Sequence, residues 1–217
     1  IAEQKHVIEE REFNHAAEDF ALKARVKKID QGKKKAQMRI ETSYQSFLKG
    51  VESVLNVSEM EMEDVRMNSK PPKLVQRVAR ACAYVLSLNH PKTRDEVAKI
   101  KKMDWAELNQ SLFSRIRIYD QTSDSRISFF KREIDTFPMD QILDRVRNQY
   151  EEVEEAMEEL NNLLMLPDFK LHRVEQVSKA LKPLCAWILA VHEHLKESLE
   201  LDRLEVDQNR CQTEVRM

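Results

Sequence analysis

Glycine is almost missing from this chain: 217 residues carry two, Gly32 and Gly50. Phosphate-cradling loops of the GxxxxGK[ST] or GxGxxG kind, and the GxSxG nucleophile elbow, need more, and none of the three patterns occurs. A βαβ architecture would also call for more turn glycine. Cysteine is sparse too. Cys82, Cys185 and Cys211 are far apart and odd in number, with no CxxC spacing, which reads as thiols in a reducing compartment and not as a metal or disulfide framework. No HExxH is present. His192 and His194 stand two apart, so on a helix they diverge, one expected on a seam and the other in solvent. The glutamate run YEEVEEAMEEL lacks the glycine and loop spacing of a calcium site. The expectation is therefore no catalytic residue, no metal and no cofactor. No apolar run approaches ~18 residues, so no membrane span is expected. The start is not a signal peptide, and an uncapped first residue, Ile1, reads as a piece of something larger. A formal charge of −2 gives no global pull toward nucleic acid or a membrane surface.

What is present is charge and apolar spacing. Charged residues make up 34% and hydrophobic ones 41%, the profile of long helices. Residues 1–50 carry two stripes at three-and-four spacing. One reads Leu22, Val26, Ile29, Lys33, Ala36, Ile40, Tyr44, Phe47. The other, offset by two, reads Phe13, Ala17, Phe20, Ala24; a stutter in a coiled coil is the plainer reading, and a second register into which a partner helix can slide is the alternative. At the other end a heptad seam runs Leu181, Cys185, Ile188, His192, Leu195, Leu199, Asp202, Val206, inside a helix expected from about Leu171. Two long seams in one chain call for each other.

Gly50 reads as punctuation, and a denser apolar patch follows it. Ser58 with Glu61, and Asp104 with Glu107, are capping boxes that start helices. The tandem Pro71-Pro72 ends one element and opens the next. The second box opens a helix whose inward face is Trp105, Leu108, Leu112, Ile116 and Tyr119. QTSDS reads as a turn, with a short helix near 127–134. One long helix is expected from Pro138 to Pro167, with Met139, Ile142, Val146, Val153, Met157, Leu160 and Leu164 inward. No strand is required. The expected fold is all-α, a long antiparallel two-helix coiled coil capped by a small helical bundle. Its parts are an outgoing helix over 1–50, a tip over 51–183 and a returning helix over 184–217.

Charge in the tip is polarised. Residues 64–135 hold fifteen basic against nine acidic groups, a balance of +6, and residues 140–168 hold two against nine, a balance of −7. Lys73, Arg77 and Arg80 share one helix face, Lys99, Lys101 and Lys102 cluster before the next helix, and Arg115 and Arg117 lie near that helix's end. A solvated face explains such stripes. The functional reading is a docking surface for an acidic partner. Nucleic acid is disfavoured, because no exposed aromatics interleave the stripe.

Three passages resemble one family. EDVRMNSKPPKLVQRVARACAYVL resembles the E-x-R-S-x-x-x-P-P-x-x-V passage of dynein heavy chains. DWAELNQSLFSRIRIYD is similar to the helix that follows it there, and LPDFKLHRVEQVSKALKPLCAWI resembles the S-x-A-x-x-P-L-x-x-W passage that opens the returning stalk helix. The resemblance implies a non-catalytic stalk and microtubule-binding tip, joined in cis to the rest of a motor ATPase heavy chain. Tubulin would be the partner, with affinity set by coiled-coil register and with no nucleic-acid or membrane partner. It implies a place in the cytoplasm on the cytoskeleton, extending to the axoneme of a cilium or flagellum. By position, the implied microtubule contacts are Arg66, Lys70, Lys73, Arg77, Lys99, Lys101, Lys102, Lys179 and Lys182. The implied stalk junction is Pro71, Pro72, Pro183 and Trp187, with Pro183 expected to bend or loosen it. Gln176 and Val177 stand where a basic residue precedes the matched serine, and the acidic helix over 138–166 is extra. Both point to an axonemal or divergent member. A helical spacer or tether, whose tip binds a protein other than tubulin, shares the fold and is the alternative.

Overall fold

The computed structural model describes residues 2–114, 117–120 and 125–215; side chains at 2–16, 18–19, 117–120, 125–127, 129 and 214–215 are not described. Arg115, Ile116, the side chains of Phe13, Arg117 and Tyr119, and most of the QTSDS turn therefore lie outside the description. The chain is helical. In order come α1 (Ala2–Leu55), α2 (Glu59–Met67), α3 (Lys73–Ser87), α4 (Thr93–Lys102) and α5 (Trp105–Phe113). After strands β1 (Arg117–Asp120) and β2 (Ser125–Ser128) follow α6 (Phe129–Asp135), α7 (Met139–Asn148), α8 (Tyr150–Leu164), α9 (Leu171–Val177) and α10 (Leu181–Val215). The strands correct the strand-free expectation. They form one antiparallel ribbon with Arg117 opposite Ser128. The helix expected to run on through Ile116 and Tyr119 ends instead at Phe113.

Residues 1–41 with 196–217 form one compact unit and residues 42–195 another. In the first, α1 turns Leu22, Val26, Ile29, Lys33, Ala36 and Ile40 inward, with Ile29 and Ala36 buried, as their spacing predicts. The α10 seam keeps its predicted line, with Leu181, Cys185, Ile188 and Leu195 buried and Leu199 and Asp202 half-buried, until it departs at Val206. Val206 is 66% exposed, and Leu204, Gln208 and buried Cys211 face inward instead. Lys33 Nζ donates to Gln208 Oε1 at 2.9 Å and pairs with Glu205 at 3.3 Å, Gln208 Nε2 donates to Asp30 Oδ1, and Arg39 reaches Glu197 at 3.3 Å. Partner numbers rise on one segment as they fall on the other, so the two run antiparallel here. The offset stripe is not buried: Ala17 and Ala24 are exposed and Phe20 is 77% exposed.

The second unit takes in residues 42–50 and 184–195, so its body starts well before Gly50. Gly50 is not a break; α1 runs through it to Leu55. Its role is close approach. A Cβ there would lie 2.9 Å from the Trp187 Cα and 3.2 Å from its Cβ. Trp187 is fully buried, and Phe137 packs edge-on to it at 5.2 Å and meets Phe47 at 6.3 Å. α3 is the central helix, with Val78, Ala79, Ala81, Cys82 and Val85 all fully buried. Its alanines let α4, α5, α8 and α9 come close. Burial pushes the Cys82 thiol up and that of Cys185 up to about 12, so neither is a ready nucleophile.

Five further expectations are corrected. α4 is a helix where only a basic cluster was read. The long helix after Pro138 is two, broken at Gln149 (φ −135°, ψ 38°), which is neither glycine nor proline. The closing helix does not start at Leu171. α9 ends at Val177, Ser178 is extended, and α10 begins at Leu181. Pro183 thus sits in the first turn of α10, where its missing N–H has no intrahelical acceptor to lose, and it does not bend the helix. The histidine expected in solvent is not there: His194 is buried, 3.1 Å from Ser43 Oγ, while His192 is half-buried on its expected seam position.

Candidate docking surface

The surface is built outward from the loop between α2 and α3. Ser58 caps α2 in a capping box with Glu61, and Asp104 caps α5 in the same way with Glu107. Hydrogen bonds from the Ser58 backbone and then its hydroxyl hold the Glu61 carboxyl below the ordinary range, helped by the nearby charge of Lys179. Asn68, Val65, Pro72 and Val75 line a cleft of about 370 Å³ with Val177, Ser178, Lys179 and Ala180 opposite, and Glu61 and Asp64 on its edge. The diproline passage and the passage leading into α10 therefore meet around one depression. α5 joins them from the far side, through Trp105 Nε1 donating to the Asn68 carbonyl at 2.7 Å and Asn109 Nδ2 donating to that of Arg66 at 2.9 Å.

The predicted contact residues divide into two sets. Arg66, whose side chain is 11% exposed, donates to the Phe113 carbonyl at 2.6 Å and pairs with Glu59 and Glu63 at 3.3 Å. Arg77 is paired with Asp168. Lys101 is bound by Glu155 at 2.7 Å and Glu159 at 2.8 Å, and these bonds, that to Glu155 first, hold its ammonium above the ordinary lysine range. Lys99 meets Glu96 at 2.6 Å, with the same upward effect, and Lys182 meets Glu175 at 2.7 Å. Lys70, Lys73, Lys102 and Lys179 are exposed and make no ion pair with a described residue. The acidic helix does not stand clear of the basic stripe; α8 packs on α3 and α4 and holds Lys101 directly.

Other cations of the compact unit stitch helix ends. Arg80 donates to the carbonyls of Ile100 at 2.8 Å and Met103 at 2.9 Å, closing α4. Arg145 closes α3 through Leu88 and His90, and Lys131 closes α1 through Leu55 at 2.8 Å and Val57 at 2.6 Å. Sequence reading missed these, together with Trp105, Asn109 and Gln76 as holders of the diproline loop. The one available signal was that two prolines remove two backbone donors. Of the junction residues, Pro71 is buried, Pro72 is exposed, and Trp187 lies in the core contact with Gly50.

Among the described residues no group of three or more His, Cys, Asp or Glu side chains is placed to hold a metal ion, and no helix is long and apolar enough to cross a membrane. No protein-family model matches the chain, and no curated protein matches it as a relative.

Proposed function

We propose that this chain is the microtubule-docking tip and adjoining stalk of a dynein-like motor. In this reading α1 and α10 are the outgoing and returning strands of an antiparallel coiled coil, residues 42–195 are the foot, and tubulin is the partner. The observation that carries it is convergence. Three passages far apart in sequence, each chosen for its resemblance, gather at the loop between α2 and α3. The antiparallel bonds of residues 30–39 with 197–208 support the stalk. Lys70, Lys73, Lys102 and Lys179 supply charge for an acidic filament, and the rest of the heavy chain would supply the ATPase, in the cytoplasm or an axoneme.

The test is co-sedimentation with microtubules over a salt series. Pelleting at low ionic strength that fades as salt rises is expected, since exposed charges are screened beyond ~10 Å at 0.1 M. Reversing Lys73 and Lys179 together should reduce it about tenfold or more, at about 1 kcal/mol for each exposed contact. The alternative is a helical spacer whose tip binds another protein. It is favoured by the four carboxylates on α2 and by the internal pairing of Arg66, Arg77, Lys101 and Lys182. Absence of pelleting at low ionic strength selects it.

A further inference from the structure

The loop from Asn68 to Pro72 lacks two of its own backbone donors, because Pro71 and Pro72 have no N–H. Among the described residues, side chains bond its carbonyls instead. Trp105 Nε1 holds Asn68 at 2.7 Å, Gln76 Nε2 holds Pro71 at 3.0 Å, and Asn109 Nδ2 holds Arg66, just upstream, at 2.9 Å. Inside the loop, the Lys70 N–H donates to Asn68 Oδ1 at 3.1 Å. Trp105 is the first residue of α5, fixed by the Asp104–Glu107 box, and Gln76 lies in the first turn of α3. The loop is therefore gripped by two helices, one on each side.

We propose that Trp105, Asn109 and Gln76 are positioning residues that set the diproline loop and, through it, the ammonium of Lys70. The grip stands on the hydrogen bonds alone; its consequence for affinity rests on the docking reading above. A positioned lysine meets its partner without first being ordered, and side-chain ordering is one of the costs of association. A lysine on a slack loop carries the same charge to less effect.

Two variants remove one donor each while keeping bulk, Trp105→Phe and Gln76→Met. Each should speed amide hydrogen exchange at Lys70, whose N–H is bonded to Asn68 Oδ1, by about fivefold, the worth of one hydrogen bond, with the helical circular dichroism unchanged. Wild-type exchange rates in both variants would overturn the grip, and the second variant decides if the first does not fold. In pelleting assays Trp105→Phe should weaken microtubule affinity by about fivefold, and Lys70→Ala should then cost less than it does in the wild type. Strict additivity would overturn the positioning role and leave Trp105 a packing residue. If the wild type itself does not pellet, the docking reading fails, and the exchange rates alone decide the grip.

Discussion

The two glycines of α1 stand in the two units, and they do opposite things. At Gly32 an added Cβ would touch only the tip of the Leu204 side chain, at 3.4 Å. At Gly50 it would meet Trp187 backbone at 2.9 Å, closer than carbon atoms pack. The paired-helix unit is held by side-chain ends and bonds such as Lys33 to Gln208, and such ends can move aside. The compact unit is held by backbone against backbone with Phe137 wedged beside, and backbone does not yield without moving a helix. One helix thus serves two kinds of packing, and a single methyl group distinguishes them.

The largest expected effect tests the wedge. Trp187→Ala should lower unfolding free energy by about 3–5 kcal/mol, as deletion of a buried aromatic does, read by chemical denaturation. Next, Gly50→Ala should cost about 1–3 kcal/mol through overpacking. Its cost should persist in a Trp187→Ala background, because the Cα, Cβ and N it strikes remain; relief there would mean the indole, not the backbone, is the obstacle. Gly32→Ala should go the other way and stabilise by about 0.5–1 kcal/mol, the helix-propensity difference, seen as slower amide exchange around residue 32. Loss of stability there would show that the paired-helix unit is packed as tightly as the other. The smallest effect is acid. The depressed Glu61 carboxyl supports the α2 cap above its ordinary value of 4.5, and that support is lost as pH falls through the depressed value. Glu61→Gln should flatten this shallow acid limb while leaving neutral stability nearly unchanged, as titration of the helical signal would reveal.

How much of this was legible in the sequence depended on range. Both capping boxes are found as read, because a cap is settled within four residues. The inward stripe from Leu22 to Ile40 holds for the same reason. The break at Gln149 was not legible: no glycine or proline marks it, and the buried faces on either side, Ile142 with Val146 and Val153 with Leu160, were read as one line. Gly50 reads locally as an end, because the neighbour that explains it, Trp187, lies 137 positions away in sequence. The α10 seam holds from Leu181 through Leu195, and beyond it the inward line passes to Leu204 and Cys211, a shift that no heptad count contains. Charge misled most. A balance of +6 over residues 64–135 is a true sum, yet which cations are spent on Glu155, on Asp168 or on helix-end carbonyls is decided only by folding.

Lys131, with its amine between the carbonyls of Leu55 and Val57, illustrates what that spending means. An amine-directed acylating reagent should reach Lys70, Lys73, Lys102 and Lys179 first and Lys131 late, and modification of the latter should fray the last turn of α1. The order in which lysines react is therefore a direct census of the charge the compact unit leaves open to solvent, as distinct from the charge it keeps to hold its own helices shut.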